Sequence, residues 1–207
     1  NQGKLYGIGV GPGDPELLTC KAVRLIKECD VIAVPKGGSG EQTALQIAAA
    51  FIQDKPILHC DMPMTRDQAV LNACHDQAAD DICALLDEGK NVAFLTLGDP
   101  AVYSTYWYVH RRVQARGYTV EIVPGVPSFC AAAACLGQAL CEGSQMLHII
   151  PASHSSTKEG LALSGNKILM KAGKSILEVR DLLEAGGKLD SAALVERCSM
   201  EGERVVR

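Results

Sequence analysis

Three times along this 207-residue chain, a short apolar run passes straight into a turn of glycine and proline and then into helix-forming residues. The segments are residues 8–19 (IGVGPGDPELLT), 95–109 (LTLGDPAVYSTYWYV) and 122–137 (IVPGVPSFCAAAACLG). Joints of this kind belong to α/β folds, and open α/β sheets place their ligand sites at the carboxyl ends of the strands. The middle joint is the most informative. Gly98 lets a ligand come close to the backbone, and Pro100 fixes the chain as it turns. Asp99 leaves a single carboxylate at the mouth of the turn. A helix is expected to start near Val102, which would aim unpaired N–H groups and a partial positive charge at the same spot. A Gly-Asp-Pro triplet is by itself an ordinary turn, so its meaning depends on its neighbours.

The remainder of the chain keeps the same rhythm. Strands are expected at 4–10, 31–34, 56–59, 91–96 and 119–123, with helices at 15–29, 43–51, 68–88, 102–116 and 128–136. Helical crossovers of this length imply a parallel sheet covered on both faces. Residues 137–145 are polar and irregular, and a boundary is placed there: an N-terminal α/β domain at 1–140 and a smaller α/β domain at 141–207. The second is read as strands at 146–150, 167–171 and 193–195 with a helix at 176–185. Residues 203–207 read as the beginning of a further strand, so the chain is expected to continue.

Composition narrows the function classes. Hydrophobic residues make up 47% of the chain and charged residues 21%, the balance of a globular domain with a true core. A net charge of −4 offers no basic footprint for nucleic acid. No apolar run approaches the roughly 18 residues that cross a bilayer. The start, Asn1-Gln2-Gly3-Lys4, has no signal-peptide pattern, and a cytoplasmic protein is expected. None of the nine cysteines forms a CxxC pair, which gives no zinc-ribbon or iron–sulfur signal; free thiols in a reducing compartment are expected. His59, His75, His110, His148 and His154 form no HxH or HxxxH pair, so no metal site is assigned.

The first joint is glycine-rich, yet Gly7, Gly9, Gly11 and Gly13 fall at every second position and give no G-x-G-x-x-G frame. Pro12 and Pro15 also remove donors that a pyrophosphate would need. The joint reads as a tight wall between strand and helix, with Asp14 as a helix cap. In the third joint Ser128 can cap the following helix. Its alanines offer a smooth face for a neighbouring helix or a flat ligand.

Taken in order, GVGPGDPELLT, LGDPAVYST, VPGVPSFCAAAA and the later LMKAGK resemble the tetrapyrrole (corrin/porphyrin) methyltransferase family. VPKGGSGEQTALQIA, MPMTRD, GDPAVYSTYWYV and PGVPSFCAAAACLG resemble most its branch acting on C20 of precorrin-2 or cobalt-factor II in cobalamin biosynthesis. The resemblance implies two α/β domains with S-adenosylmethionine folded into the cleft between them, and S-adenosylhomocysteine as product. It implies cofactor contacts from Pro12, Leu97, Gly98, Asp99, Val102, Pro127, Ser128, Met170 and Cys198. It also implies a homodimer.

Methyl transfer from a sulfonium needs positioning and exclusion of water rather than a metal or a covalent nucleophile. Loss of the C20 proton calls for a base, for which Asp99 is the first candidate and Tyr103 and His110 the next. Asp99 reads equally well as a cap or as a contact on the sulfonium side. The tetrapyrrole carries eight carboxylates, for which Lys36, Arg66, Lys171 and Lys174 are the candidate cations. Two other readings are a relative acting on RNA or a protein histidine, which the acidic balance opposes, and a non-catalytic module that only binds an adenosyl ligand.

Overall fold

A computed structural model describes residues 1–37, 39–152 and 156–207; Gly38 and the segment holding His154 lie outside the described residues. Contacts divide the chain into two compact units, Asn1–Ser128 and Phe129–Arg207. The division falls ahead of the expected boundary at 140, because the alanine-rich helix goes with the second unit.

The first unit carries a five-stranded sheet of order β3-β2-β4-β1-β5. Its strands are β1 (Lys4–Gly9), β2 (Val31–Lys36), β3 (Ile57–Asp61), β4 (Val92–Thr96) and β5 (Thr119–Val123). Every pairing in it is parallel. Helices α1 (Cys20–Glu28) and α2 (Ser39–Ile52) cover one face, where Ala22, Leu25, Ile26, Ala44, Ile47 and Ala48 meet Ile8, Val10, Ile32 and Val34. Helices α3 (Gln68–Asp87) and α4 (Tyr106–Ala115) cover the other, where Ile82, Leu86, Tyr106 and Val109 meet Leu5, Ala33, Val92 and Phe94. The chain therefore leaves β1 toward one face and leaves the neighbouring β4 toward the opposite face. This is the switch point at which a doubly wound sheet opens a crevice beyond its strand ends.

Local chemistry explains the boundaries. The helix expected at 15–29 is broken in two. Asp14 accepts the Glu16 N–H and caps a single 3-10 turn at Pro15–Leu17; Leu18 is then extended, and Thr19 caps α1 through the Ala22 N–H. Asp67 caps α3 by accepting from Ala69 and Val70. Helix α4 begins at Tyr106 rather than near Val102. The intervening residues are held in a different fold: the Val102 N–H bonds the Asp99 carbonyl, Tyr103 has a φ of 49°, and the Ser104 hydroxyl accepts the Tyr106 N–H.

The alternating glycines of β1 have a packing cause. Along a strand, every second residue faces the same side. A Cβ on Gly7 would lie 2.1 Å from Cε1 of Tyr106, a ring with no exposure. The missing side chain of β1 is thus supplied by the first residue of α4, which also stacks obliquely on Phe94 and bonds His110 Nδ1 through its hydroxyl at 3.0 Å.

In the second unit, α5 (Ser128–Leu136) leads to a parallel pair, β6 (Leu147–Pro151) and β7 (Asn166–Met170), bridged by α6 (Thr157–Ala162). The sequence reading did not include α6, a six-residue helix whose Gly160 packs on Ile150. Helix α7 (Ile176–Ala185) follows, and then β8 (Leu194–Glu196) and β9 (Arg204–Val206), which pair antiparallel. The strand expected at the last residues thus folds back on β8. Among the described residues no helix is long and apolar enough to cross a membrane.

Gly7→Ala is expected to destabilise the first unit by about 1–3 kcal/mol through overpacking against Tyr106. Shortening that ring with Tyr106→Leu should make the double variant more stable than the two single effects added together, which urea denaturation of the four proteins would measure. A second expectation concerns pH. Burial, reinforced by the Arg112 cation, holds the His75 imidazole below its ordinary value, and burial does the same to His110. Such groups bind protons more readily in the unfolded chain, so stability is full above about pH 6.5 and falls as pH drops below it. His75→Phe keeps the flat stack on Tyr108 (4.6 Å between rings) and removes a buried Nδ1 that has no partner. It should flatten the decline in urea midpoint between pH 7.5 and 5.5.

Candidate functional site

The carboxyl ends of β1, β4 and β5 meet in one tightly bonded junction. Gly11 and Gly98 exchange both backbone hydrogen bonds, the Gly98 N–H donating to Gly11 O at 2.8 Å and the Gly11 N–H to Gly98 O at 3.2 Å. Just below, the Val10 N–H donates to Thr96 O at 2.9 Å. The loop after β5 is drawn in by Asp99, whose Oδ2 accepts the Gly125 N–H at 2.9 Å while its Oδ1 accepts the Ala101 N–H at 2.8 Å. One carboxylate therefore shapes its own turn and latches it to a neighbouring loop.

The junction leaves no room for side chains at its centre. A Cβ on Gly9 would lie 2.6 Å from Gly98 O and 2.7 Å from Gly125 N, and one on Gly125 would lie 2.2 Å from Gly98 O. Gly98 differs. Its φ of +70° favours glycine, while a Cβ there would make only ordinary contacts, with Pro127 Cα at 3.8 Å, Val126 O at 3.9 Å and Ser128 N at 4.0 Å. The result is a backbone cradle between the Gly98 turn and residues 126–128, which a side chain at 98 would fill. Leu97 and Tyr103 stand on either side of the turn, 40% and 43% exposed.

The sequence-derived candidates distribute as follows. Leu97, Gly98, Asp99, Pro127 and Ser128 converge on the cradle, with Pro12 buried next to Gly11 and Val102 half-buried in the turn closed by Asp99. Met170 ends β7 in the second unit, where its carbonyl accepts the Ala152 N–H at 2.8 Å. Cys198 is buried in the turn after β8, beside Cys135 and Glu203, and burial pushes its thiol up to about 11. Lys36 ends β2 and reaches Asp61 at 3.5 Å as a well-solvated pair, while Arg66 is exposed ahead of α3. Lys171 follows β7 with a φ of 60°, and Lys174 lies in a 3-10 turn at Gly173–Ser175.

Two expectations are corrected. His110 is 6% exposed and bonded to Tyr106 inside the core, so it cannot serve as a base at the strand ends. Since α4 starts only at Tyr106, the Gly98 turn is not a helix N-terminus, and its donors are loop N–H groups. Sequence reasoning also missed Gly9 and Gly125 as partners of Gly98, and the Thr96–Ser104 hydroxyl pair at 2.7 Å. The signal for the glycines was present: Gly9 is the last residue of β1 and Gly125 lies two residues past the end of β5, and these two strands pair. Among the described residues, no group of three or more His, Cys, Asp or Glu side chains is disposed to hold a metal ion.

Comparison with known proteins agrees with this architecture. The chain is 37% identical over 216 residues to the cobalamin biosynthesis protein CobIJ of Mycobacterium bovis, covering 99% of this chain but only 42% of that protein. It is 32% identical to the cobalt-precorrin-2 C(20)-methyltransferase of Salmonella typhimurium, with 99% of this chain and 88% of the relative covered. The precorrin-2 C(20)-methyltransferase of a Sinorhizobium species is 30% identical, with 96% and 85% covered. Among solved structures, the cobalt precorrin-4 methyltransferase CbiF shares the fold with a TM-score of 0.78 at 23% identity, covering 98% of this chain and 84% of that one. The Thermus thermophilus uroporphyrin-III C-methyl transferase, complexed with S-adenyl homocysteine, gives a TM-score of 0.69 at 24% identity, covering 99% and 87%. The family of tetrapyrrole (corrin/porphyrin) methylases matches residues 4–207, and this chain, with its parallel sheet and latched strand-end loops, belongs to that family.

Proposed function

We propose that this chain methylates C20 of a reduced tetrapyrrole, precorrin-2 or cobalt-factor II, in cobalamin biosynthesis, using S-adenosylmethionine. The observation that carries the reading is the near-full-length similarity to relatives named for C20, at 30–35% identity. A different carbon is the second reading, since a cobalt-precorrin-4 C(11)-methyltransferase from Methanocaldococcus jannaschii is 28% identical over the whole chain. Action as a homodimer in the cytoplasm belongs to the proposal as well.

The cradle formed by Gly98 and residues 126–128 suits a ligand that must lie against backbone, and Leu97, Pro127 and Ser128 would hold it there. When bound, S-adenosylmethionine supplies a methyl group on a sulfonium cation, which is transferred by in-line displacement. The chain's own task is to fix donor and acceptor at attack distance in a dry site. Asp99 contributes by holding two loops in register, because both its oxygens are taken up by backbone N–H groups. Lys36, Arg66 and Lys171 are proposed to meet the peripheral carboxylates of the acceptor, and Met170 and Cys198 to complete the cofactor contacts from the second unit.

Incubation with each tetrapyrrole and 13C-methyl-labelled donor, followed by NMR of the product, tests the proposal. A single label at C20 is expected; a label at C11 would favour the second reading. Binding of S-adenosylhomocysteine without any transfer would favour a binding module. The role of Asp99 has its own test. Asp99→Asn offers one oxygen where two N–H groups need acceptors, so S-adenosylhomocysteine affinity and kcat should fall together, with the melting temperature lowered by a few degrees, as loss of a hydrogen bond worth ~1 kcal/mol implies. A drop in kcat of two or more orders of magnitude at unchanged affinity and stability would instead identify Asp99 as the base.

A further inference from the structure

Strand β4 is buried along its whole length, and its first four residues, Val92, Ala93, Phe94 and Leu95, are apolar. The fifth, Thr96, is 8% exposed and brings a hydroxyl to the carboxyl end of the strand. A buried hydroxyl costs free energy unless it is bonded. Thr96 Oγ1 meets Ser104 Oγ at 2.7 Å, and the Ser104 hydroxyl accepts the Tyr106 N–H at 3.2 Å. Side chains alternate along a strand, so Thr96 lies on the Phe94 face, the one covered by α4.

The main chain of Thr96 works at the junction as well. Its carbonyl accepts the Val10 N–H at 2.9 Å, and its register partner in β1 is Gly9. One residue thus joins β4 to the first loop through its backbone and to the far end of the Gly98 loop through its side chain. Between those two anchor points the chain takes left-handed backbone twice, at Gly98 (φ 70°) and at Tyr103 (φ 49°). Thr105 already has helical backbone and supplies no side-chain cap to α4; the hydroxyl that accepts the Tyr106 N–H is that of Ser104. The residue pattern starts this helix near Val102, whereas the fold starts it at Tyr106. Positions where local pattern and tertiary structure disagree are those where a functional constraint is expected.

We propose that Thr96 is a positioning residue for the cofactor loop: its hydroxyl, acting through Ser104, holds residues 97–105 in the shape that presents the Gly98 backbone to the adenosyl ligand. The inference rests on the methyltransferase reading above.

Valine has the shape of threonine without the hydroxyl, and serine keeps the hydroxyl without the methyl, so the two changes separate bonding from packing. Wild type, Thr96→Val, Thr96→Ser and Ser104→Ala are compared, with Ile82→Val on α3 as a control that thins the same core cluster. Thr96→Val should weaken S-adenosylhomocysteine binding by calorimetry about fivefold to tenfold. It should also speed amide hydrogen exchange at Ala101 and Val102, read by NMR, because both N–H groups are bonded within this loop. Ser104→Ala should do the same, and the double variant should bind no worse than the weaker-binding single. Thr96→Ser should bind within about twofold of wild type even though it loses a buried methyl and melts lower. Ile82→Val should melt lower too, with binding and the two exchange rates unchanged. Equal loss of affinity in Thr96→Ser and Thr96→Val would overturn the proposal, as would loss of affinity in Ile82→Val, since affinity would then follow stability and not the hydroxyl. Wild type that binds no S-adenosylhomocysteine would remove the parent reading and this one with it. Wild type that binds it, beside a Thr96→Val that binds equally well, would remove this one alone.

Discussion

Everything at the strand ends of the first unit hangs on the reciprocal hydrogen bonds between Gly11 and Gly98. They join the loops of two strands whose following helices lie on opposite faces of the sheet, so no helix packing could hold those loops together. Asp99 adds the third loop by accepting from Gly125. The outcome is a continuous backbone surface, made from three loops distant in sequence, with donors and carbonyls fixed before any ligand arrives. For a displacement reaction this pre-organisation matters more than any single acid or base, since the barrier is lowered chiefly by holding two reactants in line.

The glycines divide into two kinds that sequence alone does not separate. Gly9 and Gly125 are glycine because backbone of a neighbouring loop occupies the space a Cβ would take. Gly98 is glycine because of its φ, and a Cβ there would make only ordinary contacts with residues 126–128. The first kind glues the junction. The second leaves a gap about the size of one side-chain carbon between the Gly98 turn and residues 126–128. A substitution at 9 or 125 is therefore a folding lesion, whereas one at 98 combines strain with obstruction of the cradle.

The alternation of apolar runs with glycine–proline turns and helical stretches made the doubly wound sheet legible, because strand and helix periods survive in the first unit almost without interruption. The start of α4 was not legible. Val102 and Tyr103 look like a first helical turn, and only the Thr96–Ser104 bond and the Asp99 turn, both tertiary, keep them out of it. Likewise the cap at Thr19 outweighed the helical pattern of the residues before it. Of the candidate site, the Leu97, Gly98, Asp99, Pro127 and Ser128 cluster could be read from motif order. The pairing of Gly7 with Tyr106 could not, since a glycine in a strand does not say which distant ring will fill its place.

That last pairing bears on how a ligand comes and goes. Tyr106 is the residue at which the Gly98 loop becomes helix, and its ring is sunk completely between β1 and β4. The loop is thus moored at one end by the sheet itself and at the other by a plug that cannot be withdrawn without opening the core. A segment held in this way behaves as a fixed jaw. Residues 97–105 should therefore keep one shape whether or not a ligand is present.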